Sequence, residues 1–120
     1  EYKDINNDGS MDYVFFDQNQ LNAYSQDTSV IFTYTSENEL LPVMLYYKTP
    51  KGKGKIGLVS AVKNEIYLID EDGSMRDGFP LKGGTAFAIG ELNSDGHKYI
   101  ASGSRDKNIY IYLFRKTDEE

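Results

Sequence analysis

Short runs of alternating apolar and polar residues follow one another along the whole chain, separated by Gly, Asn, Asp and Pro. Alternation with a period of two, in runs rich in Tyr, Phe, Val and Ile, predicts β-strands joined by tight turns. The predicted strands are 12–17, 20–25, 29–35, 43–48, 55–62, 65–70, 75–80, 85–90, 99–103 and 108–114. One segment, 36–41, has the spacing of a helical capping box between Ser36 and Glu39, but Pro42 stops it. The pattern predicts an all-β, antiparallel fold.

The hairpins repeat along the chain. Aligning them places Leu21, Ile66 and Ile109 at equivalent positions, separated by 45 and then 43 residues. A period of about 44 residues is typical of the four-stranded blade of a β-propeller.

The period predicts about two and a half four-stranded blades, a fragment of a propeller whose first blade lacks its inner strand. The predicted divisions are blade 1 at about 1–41, blade 2 at about 42–84, blade 3 at about 85–114 and a charged tail at 115–120.

The stretch from Asp4 to Asp12 carries oxygen side chains at alternating positions and glycine at the sixth position. Alternate side chains of a tight loop can face one centre, which suits a Ca²⁺ ion that takes six to eight oxygen ligands. An EF-hand needs a glutamate at the twelfth loop position, where this chain has Phe15, and the loop precedes a strand. The alternative is an Asx turn without metal. The candidate metal ligands are Asp4, Asn6, Asp8 and Asp12, with the carbonyl of Ser10 as a fifth.

A second stretch, 91–99, repeats the same order of residue types, with Tyr99 where Asp12 stands in the first. The loss of this carboxylate predicts a weaker site. Its candidate ligands are Glu91, Asn93 and Asp95. The equivalent loop at 49–54 carries lysines instead of carboxylates, so no cation is expected there.

The loops at 4–12 and 91–99, each before a strand, and the phrase from Ile66 to Pro80 resemble FG-GAP or VCBS-like repeats, the propeller repeats of integrin alpha chains and many bacterial surface proteins. The phrase from Ile66 to Pro80 is also similar to quinoprotein-type propeller repeats. The resemblance covers nearly the whole chain and implies structural calcium bound by the loop carboxylates.

The amino-acid composition disfavours some classes of function. Nineteen acidic against thirteen basic residues give a net charge of −6, which disfavours nucleic-acid binding. The sequence contains no apolar run of membrane-spanning length, no signal-peptide pattern and no cysteine. Because weak calcium loops fill where free calcium is abundant, we expect an extracellular, periplasmic or cell-surface location.

No catalytic or cofactor-binding residue is predicted, because there is no nucleophile motif and the single histidine, His97, lies in a loop. We expect a non-enzymatic repeat module that binds protein or glycan, self-associates or completes a longer propeller, and has no nucleic-acid partner and no membrane span. The alternative is a fragment of a propeller-based enzyme such as a polysaccharide lyase.

Overall fold

The computed structural model describes residues 2–5, 8–49, 52–90 and 97–114. These residues form three antiparallel sheets and no helix, which confirms the all-β prediction. None of the described residues therefore belongs to a helix that could cross a membrane. The strands are β1 Tyr2–Lys3, β2 Asp12–Asp17, β3 Gln20–Tyr24, β4 Val30–Thr35, β5 Leu45–Lys48, β6 Gly54–Ser60, β7 Glu65–Ile69, β8 Leu81–Lys82, β9 Phe87–Gly90, β10 Lys98–Gly103 and β11 Ile109–Phe114.

Each sheet is a meander in which consecutive strands pair. Sheet 1 holds β1 to β4, sheet 2 holds β5 to β8 and sheet 3 holds β9 to β11. The turns at Gln18, Asn64 and Lys107 adopt positive φ angles of 48°, 56° and 71°, and each reverses the chain at a predicted hairpin. Within the described residues the sheets are not closed into a ring.

Two strand predictions were wrong. The outer strand predicted at 75–80 is absent, and the short β8 pairs with β7 instead. Gly78 has a φ of +92° and Pro80 has no N–H to donate, so this segment makes only an isolated bridge between Met75 and Ile69. The first sheet also has the inner strand it was expected to lack, because β1 pairs with β2.

The segment from Ser36 to Leu41 is an irregular connection with bends at 37 and 38. The N–H of Ser36 donates to Asn19 at 2.8 Å, and that of Leu41 donates to Val59 in sheet 2 at 2.8 Å. Tertiary hydrogen bonds thus replace the helical turn that the capping spacing would have allowed.

The core consists of two apolar clusters, one at each junction between neighbouring sheets. The first joins sheets 1 and 2, and the second joins sheets 2 and 3. The first contains Ile5, Val14, Leu21, Ala23, Phe32, Leu40, Ile56, Leu58, Tyr67 and Ile69, and the second contains Val59, Ile66, Leu68, Phe87, Ile100 and Phe114. Sheet 2 therefore buries both faces, as its nearly continuous apolar strands require.

Candidate functional site

The loop between β1 and β2 is shaped by its own carboxylates. Asp4 accepts hydrogen bonds from the backbone N–H groups of Asp8 at 3.2 Å and Gly9 at 3.1 Å. Asp8 accepts one from the N–H of Ser10 at 2.8 Å. Gly9 has a φ of +87°, a conformation that glycine adopts without steric penalty. The alternating carboxylates therefore close a tight turn before β2 begins at Asp12.

This turn brings three carboxylates together. One oxygen each from Asp4, Asp8 and Asp12 lies within 4.8 Å of the others, with Asp4 half-buried, Asp8 exposed and Asp12 buried. Oxygens bound to one Ca²⁺ ion at about 2.3–2.6 Å lie up to about 5 Å apart. The spacing and the all-oxygen donor set therefore fit Ca²⁺, a hard cation.

Asp12 distinguishes this cluster from an ordinary polar turn. Its side chain is 1% exposed, and its Oδ2 accepts the backbone N–H of Ile5 at 3.0 Å. Its Oδ1 is buried with no hydrogen-bond partner among the described residues. Burial raises the pKa of Asp12; the Ile5 N–H opposes this, and the charges of Asp8 and Asp4 add to it. A cation at Oδ1 would remove the cost of an unpaired buried charge.

Sheet 2 makes hydrogen bonds to the backbone of this loop. The hydroxyl of Tyr46 donates to the carbonyl of Asp4 at 3.2 Å, and the N–H of Gly54 donates to the carbonyl of Ile5 at 2.8 Å. Ile5 itself is fully buried in the first core cluster. Burial, followed by the charges of Asp4 and Asp12, raises the pKa of Tyr46. The loop is therefore part of the junction between sheets 1 and 2.

The structure brings together only part of the predicted ligand set. Asp4, Asp8 and Asp12 converge, and Ser10 lies in the same loop with its N–H bonded to Asp8, so a ligand role for its carbonyl stays a prediction. The remaining predicted ligands, Asn6 in the first loop and Glu91, Asn93 and Asp95 in the second, lie outside the described residues. His97 is exposed, directly before β10.

Sequence reasoning missed the contacts of Ile5 and Tyr46, because neither residue type indicates a metal site. It also missed a buried ammonium group at the equivalent position of sheet 2. Phe16 pairs with Leu21, and Val59 pairs with Ile66. Asp12 and Lys55 each lie four residues before the first member of these pairs. This equal spacing is the sequence signal that could have located Lys55 at the position equivalent to Asp12.

Lys55 is 1% exposed, and its Nζ lies 2.9 Å from Asp70 and 2.6 Å from Glu71. Burial favours a raised pKa for Glu71, but the hydrogen bond from Lys55 and further favourable interactions lower it below its ordinary value. At this position sheet 1 has a buried carboxylate, whereas sheet 2 has a buried ammonium group paired with its own carboxylates.

Comparison of the chain with protein-family models, with curated proteins and with solved structures gave no match.

Proposed function

We propose that this chain is a non-enzymatic β-propeller repeat module whose first loop binds structural calcium. The observation that carries the proposal is the buried Oδ1 of Asp12, unpaired among the described residues and adjacent to the carboxylates of Asp4 and Asp8. A buried, unpaired carboxylate oxygen is costly, and a bound cation is the simplest partner for a group surrounded by other carboxylates.

The serial arrangement of the sheets supports the propeller part of the proposal. Three antiparallel meanders follow one another in the chain, and each packs face to face on the next. This order, with the repeat of about 44 residues, is what successive propeller blades would produce. On this proposal the sheets are blades of an FG-GAP or VCBS-like propeller.

The role of the calcium would be to hold the first blade against the second. Asp4 and Ile5 contact Tyr46 and Gly54 of sheet 2 through their carbonyl groups, so fixing the loop also fixes this junction. Extracellular calcium modules have dissociation constants of about 10⁻⁴–10⁻³ M. Such a site would be filled outside the cytosol, where a rigid module would present its loops to a protein or glycan ligand.

Calorimetric titration with CaCl₂ after removal of bound metal tests the calcium site. We expect one site with a dissociation constant of about 10⁻⁴–10⁻³ M for the unmodified chain. Asp12→Asn should weaken binding at least tenfold. The matched control is Asp17→Asn, at the exposed far end of the same strand, and it should bind as the unmodified chain does. Equal heats for all three proteins, or no binding at all, would refute the proposal.

A further inference from the structure

Each sheet has a forward face, directed toward the next sheet in chain order, and a rear face, directed toward the preceding one. Leu21 and Ile66 lie on the forward faces of sheets 1 and 2, and the next sheet covers both completely, leaving 0% exposed. The equivalent residue of sheet 3 is Ile109, which pairs with Gly103 as Leu21 pairs with Phe16. Ile109 is 75% exposed. Among the described residues, the third forward face therefore has the form of a junction without a covering sheet.

The forward face of sheet 3 exposes apolar side chains. Its outer strand exposes Ile109, Ile111 and Leu113, which alternate with residues packed toward sheet 2. Across the sheet, Ala101 lies opposite both Ile111 and Ala88. A surface of this composition along a whole sheet is typical of an interaction site.

The junction between sheets 2 and 3 shows how a forward face packs against the rear face of the next sheet. Gly57 and Ala101 occupy equivalent positions. Gly57 lies two residues before Val59, the partner of Ile66, and Ala101 lies two residues before Gly103, the partner of Ile109. A Cβ at Gly57 would lie 2.5 Å from Cζ of Phe87, which belongs to the rear face of sheet 3. An aromatic ring on a rear face thus fills the hollow above a small residue on a forward face.

The rear face of sheet 1 exposes the aromatic ring of Phe15. Phe15 is 55% exposed and lies between Tyr13, whose ring is stacked at 6.4 Å, and Tyr24, whose ring is tilted at 6.1 Å. Val30, opposite Tyr24 on the next strand, is 61% exposed. Like the rear face of sheet 3 with Phe87, this rear face is aromatic, so it suits a forward face that has a small residue at Ala101.

We propose that a second copy of this chain covers the forward face of sheet 3 with the rear face of its sheet 1. The contact continues the series of the two junctions within the chain and joins two different surfaces, so it is head-to-tail. Two copies would supply six sheets, within the range of four to eight blades in known propellers, and two equal contacts would close the ring. The inference rests on the serial packing that the proposed function also invokes, but not on calcium.

Light scattering at about 100 μM, where a micromolar dissociation constant gives mostly dimer, tests the association. The unmodified chain should be dimeric. Ile111→Asp blocks the forward face, Phe15→Asp blocks the rear face, and each variant alone should be monomeric. Val62→Asp is the matched control, because Val62 is 64% exposed in the turn after β6, outside both faces, and this variant should remain dimeric.

Mixing the two blocked variants gives the decisive result. Each pair of Ile111→Asp and Phe15→Asp chains retains one of the two contacts and has both substitutions at the other. An equimolar mixture should therefore associate more tightly than either variant alone and more weakly than the unmodified chain. Ile109→Asp and Val30→Asp provide a second pair if circular dichroism shows that a first variant is unfolded. A monomeric unmodified chain, a mixture that associates no better than either variant alone, or a dimer that survives Ile111→Asp or Phe15→Asp would overturn the proposal. These outcomes are independent of the calcium titration.

Discussion

Asp12 combines burial, a raised pKa and an unpaired oxygen, so its ionised form should destabilise the chain when calcium is absent. We predict that Asp12→Asn raises the free energy of unfolding in chelator by about 1–3 kcal/mol, the usual penalty for an unsatisfied buried polar group. The neutral amide can keep the bond from Ile5 and donate to the neighbouring carboxylates. Urea unfolding at pH 7 measures this difference.

Calcium should stabilise the unmodified chain more than this variant, because the ion binds the variant at least tenfold more weakly. The advantage of Asp12→Asn in chelator should therefore fall by about 1.4 kcal/mol or more at saturating calcium. If Asp12→Asn is the less stable protein under both conditions, the carboxylate has a structural role unrelated to metal.

Lys55 should be the most sensitive charged residue of sheet 2. Replacing it with Met leaves Asp70 and Glu71 without their shared cation, and we expect a loss of about 3 kcal/mol in the free energy of unfolding. The control is Lys63→Met, which removes an exposed pair with Glu37 at 3.6 Å and should change stability by about 0.5 kcal/mol or less. Chemical denaturation of both variants checks the contrast, and equal effects would contradict it.

Among the elements, the junction between sheets 2 and 3 depends on the absence of a side chain at one position. Gly57→Ala places a methyl group against Phe87, and we predict a loss of about 1–3 kcal/mol from overpacking. Gly90→Ala in β9 is the matched control, because a Cβ there meets nothing within 4 Å. Its stability should be unchanged or slightly higher. Thermal unfolding of dilute samples compares the two, and a neutral Gly57→Ala would show that this junction is loosely packed.

The strands that sequence reasoning located best are those with regular alternation and a polar turn. The hairpins of β2 with β3 and of β6 with β7 follow directly from such patterns. The strand predicted at 75–80 failed because Gly78 and Pro80 interrupt an apolar run, and propensity alone does not give their hydrogen-bonding position. The short strand β1 was missed because a two-residue strand leaves almost no pattern.

The sequence could predict only the part of the candidate site that is formed by residues close together in the chain. Alternating carboxylates identified Asp4, Asp8 and Asp12, because the turn that brings them together is made by nearby residues. The burial of Asp12 and the contacts of Tyr46 and Gly54 come from sheet 2, more than thirty residues away in sequence. Only the packing of the sheets shows that the loop lies in a junction.

At the scale of the whole molecule, the chain is a series of similar sheets with different chemistry at one repeated position. Sheet 1 has Asp12 there, sheet 2 has Lys55, and sheet 3 has Tyr99. We therefore predict that calcium acts at the first junction, whereas the second sheet is held by its internal ion pairs.

Amide hydrogen exchange, measured with and without calcium, tests this claim most directly. At ten times the dissociation constant, calcium should slow exchange about tenfold at the loop amides of Ile5, Gly9 and Ser10 and at Gly54 of sheet 2. Asp12→Asn should show about twofold slowing or less at the same calcium concentration. Equal exchange at these amides in calcium and in chelator would contradict the claim that a bound cation holds the junction between the first two sheets.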